Sequence, residues 1–240
     1  MQLAKILSSL FGDAHDVALE GDILSGKGLL RAGRSIHVLG FANGAELGAD
    51  EAIALAERIL AVVRGGDGEP ILMLVDTSSQ RMSRRDELLG LSEYLAHLAK
   101  SLMLAEQSGH RTIGLLYGGS AAGAFIATAL SCATLVALPG AHPAVMDLPS
   151  MARVTKLPLA VLQEKARATP VFAPGLDNLA KTGAIAEIWD PAEPLSTQLD
   201  ALLQKPVTGD DRAALGRVRG GRMQAGDVAG EVMAMALAHG

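Results

Sequence analysis

From Thr112 to Met146 the chain carries no Asp, Glu, Lys or Arg. That run is longer than the roughly 20 residues a membrane span needs. Gly118, Gly119, Gly123, Pro139, Gly140 and Pro143 interrupt it, however. Such breaks suit a buried strand, a tight turn, a helix and a second strand packed in an α/β core. Of the 240 residues, 49% are hydrophobic, enough for a substantial core. The expected organisation is one α/β domain over 1–240, with its core at about 30–190 and a C-terminal helical extension at about 191–240.

The formal net charge is −5, which argues against a nucleic-acid binder working through a broad basic surface. Cys132 is the one cysteine, so an intrachain disulfide and a cysteine-built zinc site are excluded and a reducing, cytoplasmic setting is expected. The opening segment Met1–Gly12 lacks a signal-peptide pattern, and no membrane partner is expected.

Strand and helix signals alternate along the chain. Ser35–Phe41 reads as a strand and Asn43-Gly44 as a turn. A helix over Ala49–Arg64 would present Ile53, Ala56, Ile59, Leu60 and Val63 on one face, with Gly65-Gly66 closing it. Ile71–Val75 is a continuous apolar strand leading into the polar turn Asp76–Gln80. Ser83 and Asp86 form a capping box for a helix reaching about Gln107, with Leu88, Leu91, Leu95, Leu98 and Leu102 as its apolar stripe. Thr112–Leu116, a helix over Ala121–Leu130 and a strand over Thr134–Leu138 follow, then a strand at Ala144–Leu148. Beyond Met151, helices are expected near 158–168, 175–182, 194–204, 210–217 and 227–238, with a short strand Ala184–Trp189. Strands separated by helices imply a mostly parallel sheet, whose active groups gather at the strand carboxyl ends. The segments 76–80 and 117–120 both fall there.

Around the second of these the sequence is Y-G-G-S-A-A-G-A-F. Small residues let the backbone turn tightly, so that free N–H groups at the helix start can face a ligand oxygen that becomes negative during reaction. Asp76, at a strand end, suits an acceptor of backbone N–H bonds that orients the turn. His37 reads as a hydrogen-bonded sheet residue, and His97 and His110 as surface residues. Arg81, Arg84 and Arg85 read as a basic cluster beside the first turn. Tyr117, Phe125 and Met146 are candidates to line an apolar pocket.

The order of strand, D-T-S-S-Q, long helix, strand, G-G-S-A-A-G, helix and strand resembles the crotonase and carboxyltransferase superfamily. Ala180–Asp190 adds to that likeness. Within the carboxyltransferase branch the chain is similar to gamma subunits of biotin-independent malonate decarboxylases. The resemblance implies a crotonase-like spiral of strand-strand-helix units with C-terminal helices, and pairing with a homologous beta subunit. It also implies decarboxylation of a malonyl thioester held on the pantetheine-type arm of an acyl carrier protein, with the enolate oxygen stabilised by backbone donors. On it the donors fall to the amides of Gly119 and Ser120 at the second turn and of Ser79 or Gln80 at the first. Substrate contacts fall to Gly118, Ala121, Arg153 and Lys156. Neither a metal nor a redox cofactor bound by this chain is implied. Ser78-Ser79 stands where biotin-dependent relatives have Pro-Gly, so their biotin contacts do not carry over.

Three other readings stay open. One is half of a biotin-dependent acyl-CoA carboxyltransferase, and another is a scaffold that completes the partner's site. The third is a Clp-type serine peptidase, with Ser120 and His142 in view. In that alignment the nucleophile position falls on Ala121, and Val145–Leu148 offers no His. Ala122 also stands where a G-x-S-x-G elbow needs glycine.

Overall fold

The computed structural model describes residues 1–170, 173–206 and 209–239. In chain order the first elements are α1 (Leu3–Phe11), β1 (Ala18–Glu20), β2 (Ile23–Leu29), β3 (Ser35–Leu47) and α2 (Ala49–Gly65). Next come β4 (Ile71–Gln80), α3 (Arg84–Leu89), α4 (Leu91–Gln107), β5 (Thr112–Leu116), β6 (Gly119–Ala121) and α5 (Ala122–Ala127). A 3-10 turn at Ala129–Ser131 leads to β7 (Thr134–Ala137), β8 (His142–Ala144), α6 (Leu148–Thr155), α7 (Leu159–Ala168) and α8 (Leu176–Lys181). The described chain ends with β9 (Glu187–Ile188), α9 (Leu195–Gln204), α10 (Arg212–Val218) and α11 (Ala225–His239). None of these helices is long and apolar enough to cross a membrane.

The main sheet has seven strands in the order β1-β2-β3-β4-β5-β7-β9. From β3 onward all neighbours are parallel, while β1 and β2 run antiparallel at one edge. The apolar run at the start of β4 is continuous because both sheet faces are covered. Ile71, Met73 and Val75 pack with Leu55, Ile59, Leu98, Leu102 and Phe125 under α2, α4 and α5. Leu72 and Leu74 face the other way, into Ile6, Leu10, Leu199 and Leu202 from α1 and α9 and Trp189 just after β9. The second layer thus joins α1 to α9, and Leu195 N–H donates to Ser9 Oγ at 2.9 Å.

Several expected boundaries shift. Asn43-Gly44 does not end β3, which continues to Leu47 through an irregular pairing with β4. Both residues are left-handed, at φ 61° and 65°, so the turn chemistry produces a bulge. Likewise Asp76–Gln80 is not a turn: Thr77 pairs with Ala45 and Gln80 with Leu47, carrying β4 past the edge of β5. The expected single helix to Gln107 breaks at Gly90, φ 81°, where α3 ends and α4 begins. Leu88 then lies on the exposed side, as does Ile53 of α2, whose inner face is Ala52, Leu55, Ala56 and Ile59. The helix expected over Ala121–Leu130 stops at Ala127. Gly119–Ala121 forms a strand parallel to β8, and Leu148 starts a helix instead of ending a strand.

Capping is as read from sequence. Ser83 Oγ accepts the Asp86 amide at 3.1 Å, and the buried Asp86 carboxylate also accepts the Ala49 amide at 2.9 Å, tying α3 to the start of α2.

Gly40 marks the closest approach of β3 and β4. Its φ is +147°, and a Cβ there would lie 2.0 Å from the Leu74 carbonyl oxygen. Backbone cannot yield as a side-chain tip does, so Gly40→Ala is expected to cost about 3 kcal/mol or more. Urea unfolding of the purified variant measures it; a midpoint equal to the wild type would contradict the packing described.

Candidate functional site

The carboxyl ends of β3, β4 and β5 meet β6 and the start of α5, and polar groups from β4 hold each part of the Gly118–Gly123 segment. Asp76 is the first. Its Oδ1 accepts the Gly119 amide at 3.0 Å, and its Oδ2 accepts the Gly44 amide at 3.2 Å. Gly44 can present its N–H because the bulge turns the backbone left-handed there. A Cβ at Gly118 would come 2.0 Å from Asp76 Oδ1, so Gly118 is a packing requirement of this contact.

One residue further along β4, the Thr77 and Ser120 hydroxyls lie 2.8 Å apart, both buried, one donating to the other. Gln80 is the third anchor: its Oε1 accepts the Gly123 amide at the amino end of α5, at 2.8 Å. The Ser79 hydroxyl donates to the Gln80 carbonyl at 3.0 Å. Ala122, the first helical residue, sits at φ 50°, a left-handed conformation that costs a non-glycine residue on the order of 1 kcal/mol. This bend re-aims the chain from β6 into α5.

The expected pair of free amides at Gly119 and Ser120 is not realised. Gly119 donates to Asp76. In the β6–β8 ladder Ser120 faces Pro143, which has no N–H, so the register directs the Ser120 amide to the His142 carbonyl. Alternate amides along a strand face opposite sides, so that of Ala121 points away from β8, to the side on which Gly119 meets Asp76. The β6–β8 register therefore leaves the Ala121 amide outside that ladder.

The other expected site residues are placed as follows. Arg153 on α6 and Lys156 at its C-cap are exposed; Arg153 donates to Ser150 Oγ at 3.0 Å, and neither bonds to the glycine segment. Arg81 pairs with Glu51 at 2.6 Å and Arg85 with Asp50 at 2.7 Å, so these cations brace α2. Phe125 is fully buried core and Met146 is exposed. Tyr117 donates to the Phe41 carbonyl at 3.2 Å, and burial, then the nearby Asp76 charge, pushes its phenol up. Tyr117, Asp76, Asn43 and the Met1–Leu3 segment line a cavity of about 350 Å³ that sequence reading missed, because the first residues join it only through tertiary packing. His110 is fully buried, against the surface position expected of it.

Among the described residues, Ser120, His142 and Cys132 do not form an activated nucleophile. Ser120 Oγ is bound to Thr77, and the exposed His142 has its Nδ1 3.3 Å from the Gly140 carbonyl. Cys132 is buried, and its thiol is pushed up to about 12 by burial and then by the Glu106 charge. We therefore expect a fluorophosphonate probe to leave Ser120 unlabelled. Ser120→Ala should cost about 1 kcal/mol of stability, since the Thr77 hydroxyl loses its buried partner. Mass spectrometry of the probed protein and thermal melts test the pair; covalent labelling of Ser120 would restore the peptidase reading.

Comparison with known proteins gives this architecture a family. A sequence model described as malonate decarboxylase gamma subunit matches residues 42–236. The malonyl-S-ACP:biotin-protein carboxyltransferase of Malonomonas rubra is 28% identical over 186 residues, 72% of this chain. The match spans 62% of that relative's length. A Pseudomonas malonate decarboxylase hetero-tetramer solved with coenzyme A superposes with a TM-score of 0.73 at 24% identity, covering 90% of this chain and 95% of its own. The transcarboxylase 12S core superposes at 0.70 with 18% identity, over 87% of this chain and 42% of its own. These structures share the crotonase-type fold seen here. With most of its length matched by the family's sequence model, the chain belongs to the malonate decarboxylase gamma subunits.

Proposed function

We propose that the chain is the gamma half of a heteromeric decarboxylase. With a homologous beta subunit, it releases CO2 from a malonyl thioester on the pantetheine-type arm of an acyl carrier protein. The C–C bond to the carboxylate breaks, its electron pair moves onto the thioester oxygen as an enolate, and a proton from solvent at carbon gives the acetyl thioester. No side-chain nucleophile takes part. What lowers the barrier is a set of N–H donors aimed at that oxygen, each typically worth about 100-fold to 1,000-fold in rate in acyl-transfer enzymes.

The observation that carries this reading is the Ala121 amide, turned away from β8 by the register on a segment that Asp76, Thr77 and Gln80 hold from three sides. In this proposal it replaces the amides of Gly119 and Ser120, and a Ser79 or Gln80 amide supplies the second donor. A partner suits the exposed apolar residues that follow β8: α6 buries none of its residues, and Val154 and, just beyond it, Leu157 are 69% and 42% exposed. Arg153 on that helix and Lys156 at its C-cap would meet an acidic carrier, not the reacting thioester.

A second reading has support of its own. Engagement of the Gly119 and Ser120 amides within the chain favours a scaffold whose partner supplies the donors. A third follows from the name of the Malonomonas rubra relative, in which the carboxyl group passes to a biotin protein.

Reconstitution separates these. CO2 release from malonyl carrier is expected only with both subunits present and without a biotinylated protein. In that heteromer Asp76→Asn should lower kcat about tenfold to 100-fold with little change in KM, since small misplacements of reacting groups cost that much. An unchanged kcat in Asp76→Asn and in Gln80→Ala would favour the scaffold, and strict dependence on a biotin carrier would overturn the decarboxylase assignment.

A further inference from the structure

At the opposite edge of the sheet, where β3, β4 and β5 begin, groups from separate elements converge. His37 on β3 places Nε2 2.9 Å from Asp67 Oδ2 and 3.5 Å from Glu69 Oε2, both on the α2–β4 connection. One ligand-capable atom from each of the three lies within 4.8 Å of the others. Lys27 from β2 sets its ammonium on the same carboxylates, 3.2 Å from Asp67 and 2.7 Å from Glu69. A cation is therefore already seated between them.

We propose that His37, Asp67 and Glu69 form a binding site for a divalent transition metal of the zinc class, in which the Lys27 ammonium holds the metal's place. One imidazole and two carboxylates are a donor set that zinc accepts, leaving a position for water. Ligands about 2.0 Å from a tetrahedral ion lie about 3.3 Å apart, close to the spacings of His37 from the two acids.

The surroundings are built to hold these groups. His37 is 9% exposed, which fixes its ring, while the Lys27 side chain is 46% exposed and free to swing into solvent. Asp67 takes hydrogen bonds from the Glu69 amide, His37 and Lys27. Asp67 Oδ1 accepts that Glu69 amide at 3.0 Å. Behind them the buried His110 donates Nδ1–H to the Glu69 carbonyl at 2.9 Å, fixing the connection from the α4–β5 side. Its Nε2 has no partner among the described residues. Outer contacts of this kind orient metal ligands. The site is remote from the Gly118–Gly123 segment, so its fate does not bear on the decarboxylase reading.

The test is calorimetric titration of chelator-treated full-length chain with zinc chloride, repeated with cobalt chloride to read the visible absorption of the bound ion. One equivalent is expected to bind with a four- or five-coordinate cobalt spectrum. His37→Ala should weaken binding by about tenfold or more. Lys27→Met, at an exposed position, should strengthen it several-fold because no ammonium competes. Absence of saturable binding in the wild type and in Lys27→Met would overturn the proposal, as would an affinity that His37→Ala leaves unchanged.

Discussion

One carboxylate joins the parts of the sheet that form the candidate site. Asp76 lies just beyond the last residue of β4 paired with β5, and its two oxygens take amides from the β3 bulge and from β6. Each partner needs a special backbone. Gly44 must be left-handed to turn its N–H inward, and Gly118 must lack a Cβ to let the carboxylate approach. The glycines and the acid therefore form a single device, and replacing any member strains the others. Thr77 and Gln80 repeat the principle at the next positions of β4, so a strand extended beyond its neighbour acts as a ruler for a segment it does not ladder with.

Sequence reading found the fold where period and composition left few choices. Ile71–Val75 could only be a strand buried on both faces, and α3 begins at its Ser83 capping signal. It erred where local chemistry has two outcomes. Asn-Gly supplies successive left-handed residues, which close a hairpin or bulge a strand, and only the pairing of Ala45 with Thr77 decides between them. The polar stretch Asp76–Gln80 reads as a turn because strands that lack apolar alternation look like loops, yet its side chains are the anchors of the site. Which amides face away from β8 was the least legible feature. Backbone amides carry no residue signature, and it took the ladder register of Ser120 with Pro143 to show which face each amide occupies.

The cluster at the other edge shows the same limit. Lys27 and His37 sit on two strands and Asp67 and Glu69 on the connection before β4, with no motif spacing, and His110 looks like an ordinary residue between a helix and a strand. Only the antiparallel register that sets Lys27 opposite His37, together with the short connection into β4, brings them together.

The layer that joins α1 to α9 has a temporal consequence. Local pairing can assemble β3 through β7 and cover one face with α2, α4 and α5 while the chain is still being made. The face bearing Leu72, Leu74, Ile113 and Val136 cannot be fully covered until α9 arrives, although α1 was made first. A nascent chain halted before Leu195 would display that apolar face to the ribosome's surroundings, a natural binding surface for a chaperone and a hazard for aggregation.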